Sequence, residues 1–421
     1  MATDAASGTA ALPVAQKDVV AAAQSLAGRV RRTPLVEAPS FPGIPEGTLY
    51  LKLENLQRTG SFKIRGATNR ILSIPEPDAA RGVIAASAGN HAQGVAAAAR
   101  QRGIPSTIVM ARGASPSKIS ATRALGAQVI LHGADFEEAN EEALRRARDQ
   151  RLTYVHAFDD PLVIAGQGTV GLEILEQLPS VRRIVAGVGG GGLLAGIVVA
   201  VKETHPMVEV VGVQPATSNT LEPSMTQGRV VVGGRPTTFA DGLATRHIGD
   251  LPFRVFRRWG IRAVSADDRT IARAAFLLLE TAKVMAEGAG AAPLAAVLEH
   301  GELALDGPTV LVVSGGNLDP FLLDRVLWIG LSAEGRLLRL RAPLKDKPGQ
   351  LAALLQVAAS MDANVRHIVH DRESPDRPPG EVTVEVELEV RDAAHAEEVV
   401  RVYRERGWSV LPVPSSQPLT G

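Results

Sequence analysis

The 421-residue sequence contains no cysteine. Disulfides, thiolate nucleophiles and cysteine metal sites are therefore excluded. It also lacks a charge excess: lysine plus arginine and aspartate plus glutamate each number 45, and the isoelectric point is about 7.2. Nucleic-acid and membrane-surface partners both favour a basic surplus, so neither is expected. Long apolar runs are missing too. The longest strongly apolar one, Leu193–Val201, is about half of what a bilayer needs. The first dozen residues are rich in Ala, Thr and Ser, include Asp4 and have no basic start. They read as a disordered tail (residues 1–14) rather than a targeting peptide, which places the protein in the cytoplasm. No solenoid-type repeat is visible.

What is present is an alternation. Strand-like runs at Tyr50–Glu54, Gly82–Ala86, Ser106–Met110, Gln128–Leu131, Arg183–Gly187, Val208–Val213 and Thr309–Val313 are separated by alanine-rich helical stretches. These include His91–Gly103, Ser117–Leu125 and Phe136–Gln150, and Val14–Val30 also has helical spacing. Apolar strands alternating with helices predict an α/β fold with parallel sheets covered on both faces. Ligands then bind at the carboxyl ends of the strands.

Near residue 330 the pattern changes. A strand at Arg336–Leu344, a Lys-Asp-Lys-Pro-Gly turn (345–349) and a helix to Met361 come first. A strand at Asn364–His370 and a polar loop through Gly380 follow. A strictly alternating strand at Glu381–Val390, a helix at Ala393–Arg406 and a strand at Trp408–Val413 complete β-α-β-β-α-β.

Four stretches carry chemistry. Ser61-Phe-Lys-Ile-Arg-Gly-Ala67 sets Lys63 beside an aromatic and small residues, where desolvation would make its amine a nucleophile. A snorkelling surface lysine is the plain alternative. Gly189–Gly192 follows a strand and leads into an apolar helix at Leu193, a context that favours a phosphate cradle over a flexible loop. Ser87-Ala-Gly-Asn-His-Ala-Gln-Gly94 also opens a helix, where Ser87 or Asn90 could serve merely as an N-cap and His91 as a surface histidine. Ser314-Gly-Gly-Asn317 follows the last strand of the body.

Together, and in this order, the four stretches resemble the fold-type II enzymes that depend on pyridoxal phosphate (PLP). The resemblance is nearest to the threonine ammonia-lyases, with serine racemases and serine dehydratases as cousins, and covers roughly residues 15–330. It implies two subdomains with parallel sheets, the smaller one (about 82–159) inserted in the larger. Lys63 would anchor PLP and remove the substrate α-proton, with Phe62 against the cofactor. Gly189, Gly190, Gly191, Gly192 and Leu193 would hold the phosphate, and Asn90 would contact the phenolic oxygen. Ser314 would face the ring nitrogen without holding it protonated, a setting for β-elimination rather than transamination. Ser87, Ala88, Gly89, Asn90 and His91 would bind the substrate carboxylate. Glu287 in Glu-Gly-Ala-Gly290 and Asp241 in Ala-Asp-Gly242 echo family patterns but read equally as caps, and stay outside the catalytic set.

The implied reaction is dehydration and deamination of L-threonine, with L-serine as a side substrate. A serine or hydroxyaspartate dehydratase is the alternative enzyme, and a silent amino-acid sensor the alternative outside catalysis. Two departures narrow the reading. Racemases carry a second serine where this chain has Ala88, so racemisation is not expected. Relatives that bind a divalent cation have acids after a Val-Gly-Val strand, whereas here Gln214 follows Val211-Gly-Val213 and residues 215–220 hold no acid. No metal is expected there. Residues 335–421, with Asp346-Lys-Pro-Gly-Gln-Leu351 and His370-Asp-Arg372, resemble an ACT regulatory domain. That resemblance implies an amino-acid effector near Gly349 and Asn364, and assembly as a homodimer or homotetramer.

Overall fold

The computed structural model describes residues 12, 14–372 and 378–413. They form two compact units, divided after Leu322. The expected tail lies outside the described residues except for Leu12 and Val14. Val14 is a correction to it: its side chain is buried against the core at 1% exposure.

Ten strands run through the first unit: β1 (Leu35–Glu37), β2 (Leu49–Leu53), β3 (Val83–Ala86), β4 (Ser106–Met110), β5 (Gln128–Leu131), β6 (Thr153–Tyr154), β7 (Arg183–Gly187), β8 (Glu209–Pro215), β9 (Arg262–Ala266) and β10 (Thr309–Val313). They make two sheets. The larger has the order β1-β2-β10-β7-β8-β9, parallel except for β1. The smaller has the order β5-β4-β3-β6 and is wholly parallel. The central strands read as continuous Val/Ile/Ala runs because helices cover both faces. β7, β8 and β10 are buried almost throughout.

The helices Pro161–Gln177 and Gly192–Lys202 supply much of the larger core, with Ile164, Val170, Ile174, Ile197 and Val198 all at 0% exposure. β1, β6 and β9 go beyond the sequence reading. β1 and β6 have three and two residues, too few for a periodic signal. β9 is Arg-Ala-Val-Ser-Ala, whose polar edge positions mask a strand.

The second unit is an antiparallel sheet of β11 (Leu337–Lys345), β12 (Asn364–Asp371), β13 (Glu381–Glu389) and β14 (Leu411–Pro412), in the order β12-β13-β11-β14. The helices Gln350–Ser360 and Ala393–Glu405 bury Leu354, Val357, Val399 and Tyr403 against it. This is the expected ferredoxin-like βαββαβ, ACT-like fold. The last strand is shorter than the stretch Trp408–Val413.

β13 differs from expectation. Its alternation predicts one wet face, yet both faces are buried along its interior. Glu385 and Glu387 stand directly across from Arg341 and Arg339 on β11 and pair with them at 2.6 and 2.9 Å. Trp328, on the helix Pro320–Ala333, donates from its indole N–H to Glu387 and lies 5.8 Å from the Arg339 guanidinium. Charge pairing under an aromatic cover thus hides a polar face. β13 is also paired on both sides, so it offers no free edge. β12 and β14 are the edge strands. No helix among the described residues is long and apolar enough to cross a membrane.

Candidate active site

Three of the four sequence stretches lie just beyond the carboxyl ends of parallel strands: Ser87–His91 after β3, Gly189–Gly192 after β7 and Ser314 after β10. Lys63 opens the helix Lys63–Leu72, and Ser61 bridges Gly315 while Phe62 N–H donates to the Ser314 carbonyl at 3.1 Å. One cavity of about 640 Å³ collects them. Phe62, Lys63, Ser87, Ala88, Gly89, Asn90, His91, Gly189–Gly192, Leu193 and Ser314 all line it. Its size is that of a site for a small ligand.

The Lys63 amine sits 5.3 Å from the Phe62 ring centre and donates to the Ala157 carbonyl at 2.9 Å. Desolvation lowers its pKa to about 8, and the Glu287 carboxylate pulls the other way. Glu287 shows the mirror effect: burial raises it to about 7, against the Asn90 hydrogen bond and the cations Lys118 and Lys63.

The Gly run begins its helix with no side-chain cap, so the first-turn N–H groups remain available for an anion. Gly190 has a further reason to be glycine, since a Cβ there would run into the Phe158 ring. Phe158 in turn is edge-on to His156 at 4.7 Å. The His156 Nδ1 accepts the N–H groups of Phe158 and Asp159, and Asp159 accepts those of Asp250 and Leu251. The segment 156–159 therefore links the lysine, the glycine run and a neighbouring helix. Sequence reading missed it, because its work is done by a backbone carbonyl and by ring packing, neither of which leaves a motif.

Asn90 is not an N-cap. Gly89 holds that position, and the Asn90 side chain donates to Glu287 Oε1 at 2.5 Å while accepting from Asn317 Nδ2 at 2.7 Å. Ser87 Oγ accepts the Gly89 N–H. His91 is buried, with Nε2 2.9 Å from the Val155 carbonyl, and burial lowers its pKa to about 3. Its imidazole is neutral and structural, leaving only its backbone N–H for a ligand. Glu287 and Asp241, set aside as caps, both line the cavity. The Glu287 side chain makes no cap hydrogen bond, and Asp241 pairs with Lys118.

Gln214 replaces an acid with a different device. Fully buried, it accepts the N–H groups of Thr220 and Leu221 at 2.8 and 2.7 Å and so closes the 215–220 loop with an amide. In the second unit, Gly349 N-caps the helix Gln350–Ser360 at φ +85°, and Asn364 opens the edge strand β12, exposed.

A reactive lysine, an uncapped helix N-terminus and a pair of coupled carboxamides around one cavity define an α/β enzyme with a site for an anionic cofactor. The chain belongs to the pyridoxal-phosphate dependent enzymes, whose family pattern matches residues 26–315. It is 47% identical over 396 residues to an L-threonine ammonia-lyase of Thermotoga maritima, covering 94% of this chain and 98% of that protein. It is 40% identical over 310 residues to the catabolic L-threonine dehydratase TdcB of Escherichia coli K12, covering 73% of this chain and 94% of that one. With 94% of its length matched, the Escherichia coli protein has no room for a counterpart of residues 323–421. A crystal structure titled threonine deaminase, from the organism abbreviated T.th., superposes with a TM-score of 0.68 at 39% identity, over 72% of this chain and 99% of that chain.

Proposed function

We propose that this protein deaminates L-threonine to 2-oxobutanoate and ammonia, with L-serine as a slower substrate, as a cytoplasmic PLP enzyme. The carrying observation is that Lys63, Asn90, Gly189–Gly192 and Ser314, far apart in sequence, line one cavity in which the lysine is driven toward its neutral form. The relatives' names supply the substrate.

The residues fit the cofactor. The uncapped N-terminus at Gly191–Gly192 suits a phosphate, and Phe158 shields it from one side. Lys63 is the covalent anchor, Asn90 the donor to the phenolic oxygen, and Ser314, 3% exposed, the hydroxyl toward the ring nitrogen. Leu193 and Phe62 add apolar walls. PLP, when bound, supplies the electron sink that stabilises negative charge at the substrate Cα. The backbone N–H groups of Ser87–His91, at the start of the helix Asn90–Arg102, receive the substrate carboxylate. That orients the α-proton toward the freed Lys63 amine, a base whose pKa of about 8 suits neutral pH. A serine hydroxyl leaves the ring nitrogen unprotonated, which favours loss of the β-hydroxyl over transamination. Ala88 offers no second base, so the substrate is not racemised.

The test is a panel of β-hydroxy amino acids coupled to 2-oxo acid detection. L-Threonine should give 2-oxobutanoate at the highest kcat/KM, and no 2-oxo acid from any member would overturn the reading.

The second unit we assign to regulation. Gly349 and Asn364 would contact a branched-chain amino acid, and the free edge of β12, rather than β13, would pair protomers in a homodimer or homotetramer. A ligand shifts activity only through unequal affinity for two states, typically about 1–3 kcal/mol. Deleting residues 334–421 should preserve threonine turnover and abolish any response to isoleucine or valine. Loss of turnover with the first unit still folded would count against this.

A further inference from the structure

We propose that Glu287 and Asn317 are positioning residues that lock the Asn90 carboxamide from both ends and so decide which of its atoms faces the cavity. This rests on the reading of Asn90 as the contact to the cofactor's phenolic oxygen. The chain of hydrogen bonds has a fixed origin. The Thr59 carbonyl can only accept, so the Asn317 end that donates to it at 2.9 Å is Nδ2. The same Nδ2 donates to Asn90 at 2.7 Å, so the Asn90 atom there is Oδ1. The Asn90 Nδ2 is thereby turned to Glu287 Oε1, 2.5 Å away. A flipped Asn90 would set its NH2 against the Asn317 NH2 and its carbonyl against the Glu287 oxygen, so one orientation survives. One Nδ2 hydrogen is spent on Glu287, and the other is left for an acceptor in the cavity that all three side chains line.

The backbone makes room for this relay. A Cβ on Gly315 would run into the Glu287 carboxyl, and one on Gly60 into the Asn317 carboxamide. The charged groups that act on Glu287 from neighbouring elements are Lys63, Lys118 and Asp241. With its pKa near 7, Glu287 is protonated in part at neutral pH, and Oε1 accepts from Asn90 in either state.

The test compares full-length holoenzyme carrying N90A, E287A, N317A or E287Q with the N90A/E287A and N90A/N317A doubles. The readouts are the PLP dissociation constant by equilibrium dialysis and kcat and KM for L-threonine. E287A and N317A should each weaken PLP binding or turnover by about tenfold or more, the scale of one lost charge-assisted or buried hydrogen bond. Added to N90A, either should cost no more than about twofold, because the residue it removes acts through Asn90. E287Q keeps the accepting oxygen and should lose clearly less than E287A, while flattening the dependence of PLP affinity on pH around 7. Equal penalties for E287A in the native and N90A backgrounds would overturn the relay. So would parent-like values for E287A and N317A together. An N90A that matches the parent would instead sink the assignment of Asn90 itself.

Discussion

Two buried lysines stand eleven positions apart, and they do opposite things. Lys52, on β2, has no exposed surface, and its three N–H groups are all taken: by the Thr33 carbonyl at 2.8 Å, Glu173 at 2.6 Å and Gln177 at 2.8 Å. Arg65 completes the cluster. Its guanidinium, 1% exposed, forks onto Glu54 and Glu173 at 2.7 and 2.6 Å, with Thr169 and the Arg31 carbonyl as further acceptors. Two cations thus face two carboxylates. Lys63, two residues before Arg65, has the Ala157 carbonyl as its one hydrogen-bond partner among the described residues. Burial pulls both lysines below their ordinary pKa. For Lys52 the charges of Glu173 and Glu54 push back, whereas for Lys63 only Glu287 does, and it falls to about 8. About one Lys63 in ten is then a free amine at pH 7. Burial alone does not make a lysine reactive. Burial with too few partners does.

The largest effect should come from Lys63→Met. Anchor and base vanish together, so turnover should drop by on the order of 10⁴ or more. Stability should hold. The folded pKa of Lys63 lies below its unfolded value, so the native state carries a cost that is complete below about pH 8 and lifts as pH rises toward 10.5. Methionine removes that cost, and urea unfolding at pH 7 should find the variant at least as stable as the parent. Substantial turnover would break the comparison at its reactive end.

The saturated cluster should answer in the opposite sense. Arg65→Met leaves two carboxylates with one cation, and Lys52→Met leaves one cation with two carboxylates of which Glu54 is fully buried. Breaking such a pair by removing one partner costs about 3–5 kcal/mol. Arg65→Met should sit at the upper end, since its fork serves both acids. Turnover per folded molecule should stay close to the parent's for Lys52→Met. A Lys52→Met protein of parental stability that has lost catalysis would mean the cluster is part of the chemistry.

This contrast also marks where the sequence is legible. The parallel-sheet body, the ACT-like order and the cavity-lining motifs all follow from local pattern, because strands, glycine turns and helix starts are coded by neighbours in sequence. The burial of Lys52 and Glu54 does not. In Tyr50-Leu-Lys-Leu-Glu54 they fall on the polar side of an alternation, which reads as a solvent face. They are covered because the helix Pro161–Gln177, more than a hundred residues later, brings Glu173 and Gln177 over them. Glu287 was within sight, in Glu-Gly-Ala-Gly290, but a helix-start glutamate reads as a cap until Asn90 is seen to reach it across the fold. Phe158 and Ala157 act through packing and a carbonyl, and side-chain identity carries no trace of either.

A middle effect sharpens the comparison from the acid side. Glu287 has a folded pKa of about 7, above its unfolded value near 4.5. The native state binds the extra proton between these values, so stability should fall as pH rises from about 4.5 to 7, at no more than about 1.4 kcal/mol per pH unit. Glu287→Gln should flatten that stretch in the cofactor-free protein, followed by urea midpoints from pH 5 to 8. An unchanged slope would mean that the buried carboxyl is ionised throughout.

The smallest effect belongs to a third lysine. Lys118 pairs with Asp241 at the cavity mouth, but the side chains are 20% and 61% exposed, unlike either buried lysine. Water competes for both charges, so the pair is expected to contribute less than about 1 kcal/mol, and salt should erode that further. Lys118→Met should therefore shift the urea midpoint barely at all at about 0.5 M NaCl, where screening is short-ranged. Its mark should be kinetic. Lys118 also lines the site and bears on Glu287, lowering its pKa, so its loss should move the pH dependence of kcat/KM upward while leaving kcat nearly as it was. The three lysines would then form a series in which the number of partners and the access of water, rather than charge, decide the role. A Lys118→Met variant as damaged in kcat as Lys63→Met would end that series, since a solvated, carboxylate-paired ammonium would then be doing the chemistry of a dry and nearly unpaired one.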